Sequence, residues 1–319
     1  MSLDGMGLVA VGHVLLDYIG QAYGDAASLI EPFPSHTHVD PATMAEIVRS
    51  LSRDKKSLSR WRSGGGSANA VKAWARLGLP ANLVGCVGRD DGAALLRQEL
   101  SGTLPNQESG QAGIEPILFE SDKPTGRFCR FDTPGGKKIV ASPAAARDIR
   151  RFDIPEKLFV EGSILHIDGL LIDNPAWLDN IASRAIAAGM IVSLDVSTPF
   201  NAMRRGAEIV EFALRRCDFV FANEAEWGAL CRAAPGEFFA GSDTVWVVKR
   251  GADGASALEK GRWIEEPAAR ICRPEDDIGA GDAFAAGFLA ARMEGEAAAG
   301  CLARGNENAA LLLSERMRP

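Results

Sequence analysis

The residues best suited to chemistry lie in the run Asp277-Ile278-Gly279-Ala280-Gly281-Asp282-Ala283-Phe284. Small residues opening a helix leave backbone N–H groups bare, and the helix dipole adds partial positive charge there. An anion is then held without a basic side chain. Asp282 falls in the first turn, where a carboxylate can accept the proton of an attacking hydroxyl while the amides stabilise a transferring phosphoryl group. The same run also reads as a plain acidic helix start with a tightly packing face ahead of Phe284 and Phe288. Three other stretches share this character. Gly64-Gly65-Gly66-Ser67-Ala68-Asn69 is a glycine loop entering a helix and ending on an amide suited to hydroxyls. Asn223-Glu224-Ala225-Glu226 opens a helix just past a strand end, where ligands gather in open parallel sheets. Lys249-Arg250-Gly251-Ala252-Asp253-Gly254 leaves a strand with two cations where phosphates can lie.

Other nucleotide chemistries are absent from the pattern. The first strand runs into Gly12-His13-Val14-Leu15-Leu16-Asp17 with one glycine, which does not suit a dinucleotide G-x-G-x-x-G turn. Gly300 and Gly305 have P-loop spacing, but Asn306 follows where lysine is needed. The protein-kinase triplets H-R-D and D-F-G do not occur. The six cysteines include no C-x-x-C pair, and His36 and His38, the close pair among four histidines, sit in a Pro-flanked stretch read as a solvated loop. No zinc site is expected. With 35 Lys+Arg against 42 Asp+Glu, the net charge of -7 disfavours nucleic acid as a partner. Nothing in the 319 residues reads as a membrane span or secretion signal, so a cytoplasmic protein is expected.

The elements that position these residues follow from the alternation of apolar runs. Gly7–Val14 reads as a buried strand, followed by a polar region with a helix capped by Asp40. From residue 64 the order is helix, strand, helix, then short strands near 115–120, 127–133 and 137–141. From Ser163 to Met293, strands of nearly unbroken apolar character alternate with helices, the signature of a parallel sheet covered on both faces. The expected fold is α/β, a Rossmann-like, mostly parallel sheet with a small β lid from about residues 15–60 and 115–141, all within one domain over 1–319.

Four motifs, in order along the chain, resemble those of the ribokinase-like (PfkB) family of sugar and nucleoside kinases. Gly64–Asn69 with Gly85–Gly92 is similar to its N-terminal signature, and Ile278–Phe288 to its C-terminal one. Asn223 and Glu226 match its N-x-x-E motif, and Gly251 and Gly254 its nucleotide-side G-x-x-G. The resemblance implies ATP as donor and Mg²⁺ as required ion. It makes Asp282 the base and the amides of Gly279, Ala280 and Gly281 the anion hole. Asp17, Gly65, Gly66 and Asn69 would hold the acceptor. Asn223, Lys249, Gly251, Gly254 and Asn306 would hold the nucleotide, with Glu226 reaching the metal through water. The implied reaction is phosphorylation of a hydroxyl, expected to be a hydroxymethyl, on a sugar. A nucleoside, with Tyr18, Tyr23, Phe33 or Phe131 as candidates to flank its base, is the alternative; a nucleotide-sensing protein of the same fold is a third reading. A monomer or homodimer is expected. Asp276-Asp277 departs from the family's usual Asp-Thr, and Arg250 is a candidate to offset the extra charge.

Overall fold

The computed structural model describes residues 6–53, 58–102, 113–269 and 276–316. Residues 1–5, Cys272 and positions 54–57 of the expected lid lie outside them. In chain order the first part holds β1 (Leu8–Val11), β2 (Leu15–Gln21), α1 (Gly24–Ile30), β3 (His36–His38), α2 (Pro41–Arg53), β4 (Leu58–Gly64) and α3 (Gly66–Arg76). It continues with β5 (Ala81–Val87), α4 (Asp91–Leu100), β6 (Ile114–Glu120), β7 (Arg127–Thr133) and β8 (Gly136–Ser142). The second part holds β9 (Ile164–Asp168), α5 (Pro175–Ala187), β10 (Ile191–Asp195), α6 (Pro199–Arg216), β11 (Phe219–Asn223) and α7 (Glu224–Ala233). Last come α8 (Gly236–Ala240), β12 (Val245–Lys249), β13 (Ala255–Glu259), β14 (Arg262–Glu266), α9 (Ala280–Met293) and α10 (Ala298–Arg316).

Among the described residues, nine strands form one sheet in the order β14-β13-β12-β11-β10-β9-β1-β5-β6. Its strands are parallel from β6 across to β12, and only β13 and β14 join antiparallel. Every residue of β1 is buried, and successive side chains enter opposite cores. Leu8 and Ala10 pack in the core that contains α3, α9 and α10, while Val9 and Val11 pack in the one that contains α5 and α6. Burial on both faces is why the strands lack polar alternation. Phe221 of β11 meets Phe288 of α9 edge-to-face at 5.4 Å, which seats α9 against the sheet.

The second sheet has the order β3-β8-β7-β2-β4. Its outer face is closed by α1 and α2, whose Ile30, Met44 and Ile47 pack with Cys129, Phe131 and Val140. Alternation along β7 therefore turns Phe128 and Arg130 to the opposite face. Two expectations are corrected here. Ile114–Glu120, expected in the lid, is instead the edge strand of the main sheet, paired parallel with β5. The helix α4 between β5 and β6 provides the crossover that a parallel pair requires. His36 and His38 lie on β3, an edge strand, rather than in a loop.

Candidate active site

Four neighbouring parallel strands end in sequence on polar residues: β9 on Asp168, β10 on Asp195, β11 on Asn223 and β12 on Lys249. The order in which successive parallel strands are added reverses at β1, and the crevice beyond the carboxyl ends of strands at such a switch point is where open α/β sheets take ligands. A cleft of about 990 Å³ lies there. Asp17, Gly65, Gly66, Asn69, Asn223, Glu226, Lys249, Gly251, Gly254, Ala280, Gly281, Asp282 and Asn306 all line it. Gly279 stands just behind, where a Cβ would come 3.2 Å from Cγ of Asn69.

The anion-hole turn is shaped by Gly279, the N-cap of α9, whose φ of 84° lies in the left-handed region that a side chain disfavours. The Ala280 amide donates to the Asp277 carbonyl oxygen at 3.2 Å, so of the three expected amides this one is occupied within the turn. Asp282 Oδ2 accepts a hydrogen bond from Asn69 Nδ2 at 3.0 Å. Burial, reinforced by the nearby Asp195 carboxylate, pushes the Asp282 pKa up to about 7, against the opposing pull of Lys249 and the Asn69 hydrogen bond. Such a group is poised to take a proton near neutral pH.

Lys249 is largely buried in the site. Its Nζ donates to Asp195 Oδ2 at 2.6 Å and sits 3.2 Å from where a Gly281 Cβ would be. Burial works against the ammonium, yet the Asp195 and Glu226 carboxylates hold its pKa above the ordinary value. Asp195 carried no motif. Its one sequence signal was its place at the end of a strand, in line with Asn223 and Lys249. Glu226 closes a capping box: Asn223 Oδ1 accepts from the Glu226 amide at 2.9 Å, and Glu226 Oε2 accepts from the Asn223 amide at 2.7 Å. Burial and Asp195 lift the Glu226 pKa to about 7. Asn306 donates to the carbonyl of Pro267 at 3.0 Å, which ties α10 to the chain beyond β14.

At the other end of the cleft, Asp17 is 2% exposed and its Oδ1 has no hydrogen-bond partner among the described residues. The carboxyl group lies against Gly64, where any Cβ would collide with it at 1.9 Å. Burial raises its pKa to about 7 in spite of the Lys72 and Arg62 charges nearby. Asp168 accepts from the His13 amide at 3.1 Å and from Ser197 Oγ at 2.6 Å. Burial alone would raise its pKa, but the His13 ring, whose Nδ1 lies 3.2 Å away, and then the bonds from Ser197 and the Leu170 amide hold it down at about 2. His166, two residues earlier, is spent on Ser193 Oγ at 2.8 Å. None of the aromatic residues expected to flank a base reaches the cleft. Phe131 is in the core under α1 and α2, with Tyr18 and Phe33 packed against it, and Tyr23 is 40% exposed. Phe128, the residue before Cys129 on β7, lines the cleft instead.

The extra carboxylate of Asp277 is not offset by Arg250, which pairs with Glu265 at 3.1 Å. Its partner is Arg130 of the second sheet, at 2.9 Å. A short basic stretch cannot reveal a contact between residues 147 positions apart. Because Asp277 is 73% exposed, the pair stabilises only modestly. A double-mutant cycle on Arg130→Met and Asp277→Thr, followed by denaturant unfolding, is expected to give a coupling of about 0.5–1 kcal/mol. The same cycle with Arg250→Leu in place of Arg130→Met should give none.

The pfkB family carbohydrate kinase model matches residues 59–317. The chain is 30% identical over 267 residues to the ATP-dependent ribose-1-phosphate kinase of Halopiger xanaduensis, covering 80% of this chain and 82% of that protein. It is 27% identical to a nucleoside kinase of Methanothermobacter thermautotrophicus, covering 90% and 83%. The crystal structure of adenosine kinase from Sinorhizobium meliloti superposes with a TM-score of 0.80 at 22% identity, over 97% of this chain and 94% of that one. At that identity the superposition speaks for the fold. No helix among the described residues is long and apolar enough to cross a membrane. With its family signature spanning both the glycine loop and the start of α9, the chain belongs to the pfkB family of carbohydrate kinases, phosphotransferases with an alcohol group as acceptor.

Proposed function

We propose that the protein transfers the terminal phosphoryl group of ATP to a primary hydroxyl of a ribosyl acceptor. The observation that carries this reading is Asp17, a buried carboxylate with an unpartnered oxygen, set in the same cleft as the Asn69–Asp282 pair. A buried carboxylate lacking donors is costly until hydroxyls fill it, and the adjacent hydroxyls of a ribose ring supply two. The names of the relatives, a ribose-1-phosphate kinase and nucleoside kinases among them, support a ribosyl compound.

In this reading the second sheet is the lid of a single kinase domain and roofs the acceptor end. Asp17, Gly65, Gly66 and Asn69 hold the acceptor. Asp282 takes the proton as the hydroxyl oxygen bonds to the terminal phosphorus and the bridging P–O bond to ADP breaks. The amides at the start of α9 and the Lys249 ammonium steady the charge on the transferring group. Asn223, Gly251, Gly254 and Asn306 lie where the rest of the nucleotide extends.

The donor set suits Mg²⁺. Asp195 and Glu226 offer hard carboxylate oxygens beside the cleft, and no cluster of three or more metal-ligating side chains occurs among the described residues. An ion held by one or two carboxylates, water and phosphate is the ordinary Mg²⁺ arrangement. When bound, the ion supplies neutralisation of phosphate charge. Glu226→Gln tests this contribution because glutamine can still close the capping box. The variant is expected to fold normally and to need a several-fold higher Mg²⁺ concentration for half-maximal activity; an unchanged Mg²⁺ titration would remove Glu226 from the role.

The reading itself is tested by ADP release with ribose, adenosine and hexoses as acceptors, and phosphorus NMR of the product. Phosphate on a primary hydroxyl of the ribosyl compounds is expected. Hexoses used with the higher kcat/KM would overturn it.

A further inference from the structure

Beneath the acceptor end, the second sheet is fastened to the body of the molecule at Ser63. β4 is an edge strand and runs through Gly64 and Gly65 into α3. At its end, side chains from two helices cover the outward backbone of Ser63, which is fully buried. The Ser63 amide donates to Glu99 Oε2 of α4. Its carbonyl accepts from Lys72 Nζ of α3 at 2.5 Å, and its Oγ accepts from the same ammonium at 3.0 Å. The Lys72 and Glu99 side chains are 12% and 11% exposed, and their charged ends stay 3.9 Å apart. The ammonium thus gives these hydrogen bonds to Ser63 and not to the carboxylate. Lys72 stands three residues beyond Asn69, on the same face of α3. Asn69 reaches Asp282, and Lys72 reaches the strand end beside Asp17.

The carboxyl group of Asp17 rests on Gly64, the residue after Ser63, and its Oδ1 has no partner among the described residues. A carboxylate buried in this way stays ionised only if a positive charge offsets the cost of burial. Burial is the main influence raising the Asp17 pKa, with Asp282 of α9 and Glu99 of α4 adding to it. Lys72 is the first of the charges opposing it, ahead of Arg62 of β4, which is paired with Asp276 at 2.9 Å. Burial lowers the Lys72 pKa to about 8, opposed by Glu99 and Asp17 and aided by Arg62 and Arg76, so the ammonium is present at neutral pH. Resting on the ribosyl reading above, we infer that Lys72 is a positioning residue for the acceptor: it fixes the Ser63–Gly66 strip from behind and keeps Asp17 an ionised acceptor for the substrate's hydroxyls. Lys72 is not among the residues lining the cleft, so it acts through Asp17 and not by touching substrate.

The test measures KM for ribose and for adenosine by ADP release at saturating ATP and Mg²⁺, from about pH 6 to about pH 9. Lys72→Gln removes the charge and keeps a donor for Ser63; Lys72→Met serves in its place if the glutamine variant does not fold. Losing an ammonium beside a carboxyl moves its titration up by about one pH unit or more, so the acceptor KM is expected to rise about five- to tenfold at pH 7, with kcat and the ATP KM changed less than about twofold. Toward pH 9 Asp17 ionises unaided and the wild-type lysine sheds its own proton, so the two proteins should converge. Lys72→Arg, which keeps the charge, should stay within about threefold of wild type. In an Asp17→Asn background, where this carboxyl is gone, Lys72→Gln should add nothing to the acceptor KM. A KM within about twofold of wild type at pH 7 would overturn the inference. So would a KM raised equally at every pH, or raised as much in the Asp17→Asn background, since Lys72 would then be merely structural. The ribosyl reading stands in each of those cases if Asp17→Asn itself raises the acceptor KM by about tenfold or more. An Asp17→Asn protein with an ordinary acceptor KM would overturn both.

Discussion

Asp282→Asn is expected to lower kcat by about two to four orders of magnitude while changing the affinity for ATP little. The size follows from the role: a positioned base contributes on the order of 10²–10⁴ to a proton-transfer step. Asparagine has nearly the same shape and keeps a partner for Asn69 Nδ2, which now bonds Asp282 Oδ2 at 3.0 Å. The lost interaction therefore belongs to the transition state and not to ground-state binding. The wild-type profile carries its own signature. With the Asp282 pKa raised to about 7 by burial and then by Asp195, the base is protonated and idle below that pH. Activity should rise as pH climbs through about 7, and the variant's residual rate should lack that acid limb. A variant within tenfold of wild type, measured with saturating acceptor, would take Asp282 out of the chemistry.

How much of this was legible before the structure depends on the range over which each feature is specified. The start of α9 was readable because its requirement is local: a left-handed glycine, small residues and an acid within six positions. The main sheet was readable because burial on both faces writes itself as unbroken apolar runs, as in β1 and β9. The second sheet was readable as a small extra sheet from the stretches 15–60 and 115–141, but its strand pairings were not. β2 and β4 are paired across the whole of α1, β3 and α2, with Asp17 of β2 lining the cleft and Arg62, its partner on β4, paired with Asp276. The strand Ile114–Glu120 was misassigned since a short strand does not say which sheet it joins; α4 decides that. Asp195 and Phe128 were missed for the same reason that Asp277 was matched to the wrong arginine. Each acquires its meaning from neighbours brought by the fold, and nothing in the local residue types records them.

Asp195 and Lys249 together give the other large effect, with opposite signs on the two sides of one ion pair. Their bond of 2.6 Å joins side chains that are 10% and 15% exposed, so solvent screens it little. Removing one partner of such a pair leaves a buried charge uncompensated, and Lys249→Met is expected to destabilise the protein by about 3–5 kcal/mol in denaturant unfolding. The kinetic consequence separates the two residues. The Asp195 carboxylate raises the Asp282 pKa and the Lys249 ammonium lowers it. Lys249→Met should thus move the acid limb of the pH–rate profile to higher pH, since the base then holds its proton more tightly. Asp195→Asn should move it to lower pH, because the repelling carboxylate is gone while the ammonium remains. Both variants weaken the site, so a loss of rate alone does not discriminate. The direction of the limb does: Asp195 and Lys249 act with opposite signs on Asp282, as they also do on Glu226, so if both substitutions shifted the limb the same way, the group titrating near neutral pH would be neither of these carboxyls.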